Sequence, residues 1–178
     1  MFRAYRRVMP AGKADRMSTA LVTGASAGLG EGFARALAKE GHDLILTARR
    51  VDRLEALAAE LRRTHDVTVH IFAADLSESE APAALITRVA DAGLTIDTLI
   101  NNAGFGLQGN VADLDGLKQA DIIDVNCRAL VVLARAVLPA MIARGKGGIL
   151  NIASTAAFQP GPGFAVYSAS ILAGLCRG

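Results

Sequence analysis

A chain of 178 residues that is 52% apolar but only 4% aromatic has room for one domain with a sizeable core. Its many Gly and Ala residues suit buried strands under closely packed helices and exclude an aromatic-rich β-sandwich. Arg3, Arg6, Arg7, Lys13 and Arg16 against Asp15 give residues 1–17 a charge of +4, so in a chain of net charge +2 the remainder carries −2, which excludes a nucleic-acid-binding surface.

The leader MFRAYRRVMPAGKADR has no apolar segment of the kind a secretory signal needs. It reads either as a basic arm for anionic partners or as an overlong start assignment. Met17, directly ahead of the first apolar run, favours the second, and residues 1–17 are expected to be disordered or a start-site artefact. No later stretch approaches ~18 uninterrupted apolar residues, so no membrane span and a soluble cytoplasmic protein are expected.

Ala20-Leu21-Val22 predicts the first strand, and Thr23 to Gly30, TGASAGLG, joins it to a helix over Leu29 to Glu40. A strand, a glycine turn and a helix N-terminus in that order make a phosphate-binding site, because small residues let the backbone approach and free helix N–H groups attract an anion. Gly24 permits the sharp turn, Gly28 the approach of a pyrophosphate, and Gly30 close packing of helix on strand; Ser26 offers a hydroxyl donor, and Leu29 belongs to the same turn. Leu29, Phe33 and Leu37 recur on one helix face, and Gly41 is the C-cap.

Leu44 to Leu46 is the second strand, and Val51, Leu54, Leu57, Ala58 and Leu61 stripe the next helix. Val67, Val69 and Ile71 alternate with Thr68, His70 and Phe72, the pattern of a half-buried edge strand. Leu85, Ile86 and Val89 mark a helix ending before Gly93. Thr98 to Ile100 is a fourth strand running into Asn101-Asn102-Ala103-Gly104, and Phe105 to Asp115 is a loop. The longest helical run spans about Asp121 to Arg144, where Pro139 should bend or shorten it, and Ile149 to Ile152 is the fifth strand. The class is α/β: a Rossmann-type doubly wound parallel sheet of about five strands, ordered 3-2-1-4-5 with right-handed crossovers, in a single domain over residues 18–178. Cys127 and Cys176 lack C-x-x-C spacing and read as reduced structural thiols; His42, His65 and His70 are scattered, and no metal site is expected.

Together with Asp75-Leu76 after the third strand, Asn101-Asn102-Ala103-Gly104 after the fourth, Asn126 in the long helix, and Ser154 followed by Tyr167, the glycine turn resembles the short-chain dehydrogenase/reductase family, in its TGxxxGxG branch. The likeness runs from about Thr19 to Ser170. It implies an oxidoreductase that moves hydride between a nicotinamide cofactor and an alcohol or carbonyl substrate. The end of the second strand, Thr47-Ala48-Arg49-Arg50, holds no carboxylate for ribose hydroxyls, so Arg49 is the expected ligand of a 2′-phosphate and the cofactor is NADP rather than NAD. The same resemblance gives Asp75 the adenine amino group with Leu76 beside it, places Asn102, Ala103 and Gly104 on the adenine ribose side, and makes Tyr167 the general acid/base with Ser154 orienting the substrate oxygen. Asn126 would kink the long helix and hold a water of the proton relay; on its own it reads equally as a satisfied interior amide.

The family's lysine, four residues after the tyrosine, is absent: Tyr167-Ser168-Ala169-Ser170 is followed by Ile171. A tyrosine ordinarily ionises near pH ~10, and a neighbouring cation favours its phenolate. Losing a cation that moves this by ~2 to 3 pH units removes roughly 3 to 4 kcal/mol, several hundredfold in rate. The lysine also clasps the nicotinamide ribose in family members. The family continues beyond the point corresponding to Gly178, so Ile171 to Gly178 is read as an aberrant ending that leaves the fifth strand's edge uncovered and open to self-association. Two rival readings stand beside an impaired reductase: a non-catalytic NADP-binding or interaction module, and a non-functional gene fragment.

Overall fold

The computed structural model describes residues 18–159 and 161–175; the readings made for residues 1–17 and for Cys176 fall outside the described residues. Five strands, β1 (Thr19–Thr23), β2 (Asp43–Thr47), β3 (Val69–Ile71), β4 (Thr98–Asn101) and β5 (Gly148–Asn151), pair in parallel in the order β3-β2-β1-β4-β5. The connections carry α1 (Gly28–Lys39), α2 (Val51–Thr64), α3 (Ala81–Asp91), α4 (Gly116–Ile123) and α5 (Leu130–Arg144), and α6 (Ala165–Ile171) follows β5. This is the doubly wound sheet that the alternation of apolar runs and helical stripes predicts.

Side chains alternate across a strand, so each buried strand feeds two cores. Ala20, Val22, Leu44, Leu46 and Ile100 pack against α1 and α2 through Ala34, Leu37, Leu54, Ala58 and Leu61. Leu21, Ile45 and Leu99 face the other way, onto Leu85 and Val89 of α3 and Leu133, Val137 and Met141 of α5. Each fully buried Leu or Ile contributes about 1.5–3 kcal/mol, which makes these two layers the main source of stability.

The structure corrects four local expectations. The buried face of α1 is Gly30, Ala34, Leu37 and Ala38, with Phe33 packed beside it, while Leu29, the first residue of the predicted stripe, is 51% exposed. Val51 is likewise exposed at the first turn of α2. The long helical run starts at Gly116, because Asp115 caps it by accepting from the backbone N–H of Leu117 at 2.8 Å and of Lys118 at 3.1 Å. Pro139 does not shorten α5, which runs on to Arg144; Pro139 and Arg135 are both exposed, so water can take the carbonyl the proline leaves free. The irregularity lies instead at Asp124–Ala129, a π-helical stretch joining α4 to α5.

The continuous run Gly116–Arg144 is long and apolar enough, by length and composition, to cross a membrane, but Lys118, Asp121, Asp124, Arg128 and Arg135 interrupt it, so it is not the uninterrupted apolar stretch whose absence the sequence showed. One face of the run is used within the fold, while Leu117, Ile123, Val131, Leu138 and Ile142 are exposed. The α5 part packs on β4, β5 and α3, and the run carries the Asp124–Arg128 ion pair at 2.8 Å and the buried Asn126.

Candidate active site

The C-terminal ends of the strands open into one cleft of about 520 Å³. Its floor at β1 is the glycine turn. Gly24 has φ +66° and Gly28 φ +59°, both in the left-handed region that glycine tolerates. The turn delivers Ala27 in extended conformation as the N-cap of α1, with no side chain capping the helix, so the first N–H groups remain available to an anion beside the cleft. Gly30 lies beneath: a Cβ there would stand 2.3 Å from the Gly24 carbonyl oxygen and 2.6 Å from Asn102 Nδ2.

Thr23 and Asn102 lock this turn to the end of β4. Thr23 Oγ1 donates to the Ile100 carbonyl at 3.2 Å and accepts from the N–H groups of Asn102 and Ala103 at 2.9 Å each. Asn102 Nδ2 returns a bond to the Thr23 carbonyl at 2.9 Å.

Arg49, Arg50 and Asp75 form the adjoining wall. Arg50 donates to the Ser26 hydroxyl at 3.2 Å and to the Ser26 carbonyl at 3.2 Å, tying the end of β2 to the glycine turn. Arg49 extends into solvent with its guanidinium 3.8 Å from the Asp75 carboxylate. Burial opposes ionisation of Asp75, but its bonds from the Ser77 N–H at 3.1 Å and the Ser77 hydroxyl at 2.8 Å, with Arg49 beside it, outweigh burial and hold the carboxyl below the usual range.

Across the cleft, Ser154 caps a short 3₁₀ turn, Thr155–Ala157, by accepting from the Ala156 N–H at 3.2 Å, which leaves its own O–H able to donate. Tyr167, on α6, lines the same cleft. Its ring lies on the backbone of Gly106 and tilts 58° to the Phe164 ring at 6.2 Å. Ile171 stands one turn further on, 8% exposed and also in the cleft wall.

Asn126, in the π-helical stretch, is 5% exposed and fully engaged. Its Oδ1 accepts from the Phe105 N–H at 3.1 Å, and its Nδ2 donates to the Phe105 carbonyl at 2.9 Å and to the Ser170 hydroxyl at 2.8 Å. Cys127 beside it donates to the Ser170 carbonyl at 3.4 Å, and burial pushes its thiol up, away from the reactive thiolate.

The cleft thus brings together Gly24, Ser26, Leu29, Arg49, Asp75, Leu76, Asn102, Ala103, Gly104, Asn126, Ser154 and Tyr167. Gly30 is packed beneath the turn and Gly28 is exposed on it; neither lines the cleft wall. Sequence reasoning passed over Arg50, Gly106 and Ser170, and gave Thr23 no role beyond opening the TGASAGLG turn. Arg50 was visible as the second half of a basic pair, and Ser170 as a polar residue on the Tyr167 face of a helix; Thr23 and Gly106 act through contacts that no local pattern announces.

A parallel 3-2-1-4-5 sheet with a glycine turn leading into an uncapped helix at its switch point defines a dinucleotide-binding α/β domain. The chain belongs to the short chain dehydrogenase family, whose model matches residues 18–175. It is 41% identical over 152 residues to sulfoacetaldehyde reductase 2 of Chromohalobacter salexigens, covering 84% of this chain and 60% of that protein. It is 38% identical over 151 residues to the NADP-dependent 3-hydroxy acid dehydrogenase YdfG of Escherichia coli, covering 84% and 59%. Among solved structures it resembles a short-chain dehydrogenase from Sphingobium yanoikuyae in complex with NADPH, with TM-score 0.83, 39% identity and coverage of 89% of this chain and 61% of that one. The chain therefore spans about three fifths of the length of these relatives.

Proposed function

We propose that the chain binds NADP(H) in this cleft and interconverts an alcohol and a ketone or aldehyde, with proton transfer slowed by Ile171. The observation that carries the reading is a single cleft in which a glycine turn, two arginines, a hydrogen-bonded Asp75, Ser154 and Tyr167 face one another. The residues fit such a cofactor. The turn at Gly24 is open to a pyrophosphate, Arg49 and Arg50 offer cations where a 2′-phosphate would lie, and Asn101 Oδ1, buried in the cleft wall, has no protein partner among the described residues. The NADPH held by the Sphingobium relative supports the same choice.

Hydride exchange is the chemistry a bound nicotinamide supplies. The chain's own part is to orient the substrate oxygen by the Ser154 hydroxyl and to exchange a proton with it at the Tyr167 phenol. Ile171 supplies no charge to that phenol, and this one observation also favours a second reading, a module that binds NADP(H) without turnover.

Two measurements separate the readings. NADPH binding is followed by fluorescence titration, and NADPH oxidation is assayed over a panel of carbonyl compounds. Restoring a cation with Ile171→Lys is expected to raise turnover by roughly several hundredfold, and Tyr167→Phe in that background to abolish the gain. Binding without turnover in both the parent and Ile171→Lys chains selects the module.

A further inference from the structure

We infer that Gly106 and Ser170 are positioning residues that fix the ring of Tyr167. The inference rests on the reading of Tyr167 as the proton-transfer group. A Cβ at Gly106 would stand 2.5 Å from Tyr167 Cδ2, 2.6 Å from Cγ and 3.1 Å from Cβ. Those atoms are the root of the side chain, not a flexible tip. A methyl group there displaces the ring itself, and the Phe164 ring at 6.2 Å limits where it can go.

The backbone that forms this wall is held by Asn126, whose amide bonds both the N–H and the carbonyl of Phe105, the residue next to Gly106. The same amide donates to Ser170 Oγ at 2.8 Å, and the Ser170 O–H donates to the carbonyl of Tyr167 at 2.8 Å. Ser170 is 1% exposed, so no water replaces these bonds when its hydroxyl is removed. The circuit closes: Gly106 supports the ring, Phe105 and Asn126 support Gly106, and Ser170 ties Asn126 to the backbone of the tyrosine. Both the root of the ring and the surface it rests on refer to one buried amide.

The chain has two tyrosines and no tryptophan, so Tyr5→Phe leaves Tyr167 as the sole tyrosine signal. In that background the near-ultraviolet tyrosine dichroism reads how tightly the ring is held. A ring released into other staggered wells averages its signal, so the band is expected to fall about twofold or more in Gly106→Ala and in Ser170→Ala. Gly32→Ala, an exposed position where an added Cβ meets nothing within 4 Å, is expected to keep it. Far-ultraviolet dichroism reports folding in each variant, and Ser170→Ala decides alone if Gly106→Ala does not fold.

With Ile171→Lys added, both variants are expected to lose about a hundredfold in kcat, as a misplacement of roughly 1 Å does, with KM for NADPH nearly unchanged. A parental tyrosine band in either folded variant overturns the inference, and so does a Ser170→Ala chain that fails to fold, since that makes the hydroxyl a general structural support. Absence of NADPH binding by the parent chain overturns the functional reading instead and leaves the dichroism test intact.

Discussion

Gly30 has no room for a methyl group, because its missing Cβ is what lets the Gly24 carbonyl and the Asn102 amide meet over α1. Gly30→Ala is therefore expected to cost about 1–3 kcal/mol by overpacking and to weaken NADPH binding, measured by urea denaturation and by titration. Asp75 carries a pH dependence whose sign follows from its partners. Its folded pKa lies below the unfolded one, so its contribution is complete above the ordinary carboxylate value of ~3.9 and is lost as pH falls through the folded value. Since the side chain is 40% exposed, screening limits that contribution to about 1 kcal/mol at most. Asp75→Asn is expected to lower Tm slightly at neutral pH, with the difference from the parent shrinking as pH falls through the lowered folded value. At this scale the sequence named half of the residues that line the cleft, because strand-end positions and glycine spacing are local signals. It separated Arg49 from Asp75 by role, whereas the structure sets them 3.8 Å apart; a pairing across two strand ends is a product of the sheet and has no local signature.

Between α4 and α5 the chain switches to π-helical pairing at Asp124–Ala129, and this widening is where Asn126 turns inward to Phe105 and Ser170. Asn126→Ala would leave the N–H and carbonyl of Phe105 and the Ser170 hydroxyl short of partners beneath the cleft. The expected cost is about 2–4 kcal/mol in urea denaturation, and a loss under about 0.5 kcal/mol would contradict this account of the joint. The helix is legible in the sequence as an apolar run; Pro139 does not shorten it, and its irregular stretch contains Asn126, where the family resemblance places a kink. Proline has a local signature, while a π-helical turn is stabilised by contacts with the 105 loop and α6 that the run itself does not encode. In α1 the apolar stripe holds at Phe33 and Leu37 but not at Leu29, which faces the cleft; periodicity finds a helix without saying which neighbour each residue meets.

Over the whole molecule, strand order was readable because each apolar run is short, bounded by glycine or polar residues, and separated from the next by a helical stripe. Only a parallel sheet with crossovers accommodates that alternation. Among the described residues β5 is one edge of the sheet, β3 being the other, and all four residues of β5 are half-buried. We propose that this edge supports self-association: sedimentation equilibrium is expected to show a mass that falls on dilution, and a monomer at all concentrations would refute it. The edge and the cleft meet at the C-terminal end of the sheet, where Asn101 and Asn151 pair across β4 and β5 with Nδ2 to Oδ1 at 3.0 Å. Selection of a 2′-phosphorylated dinucleotide by this cleft is read by calorimetric titration of the chain with NADPH and with NADH. NADPH is expected to bind at least about tenfold tighter than NADH, and Arg49→Ala with Arg50→Ala to remove the preference; equal affinity for the two cofactors, or binding of neither, would refute the proposed function.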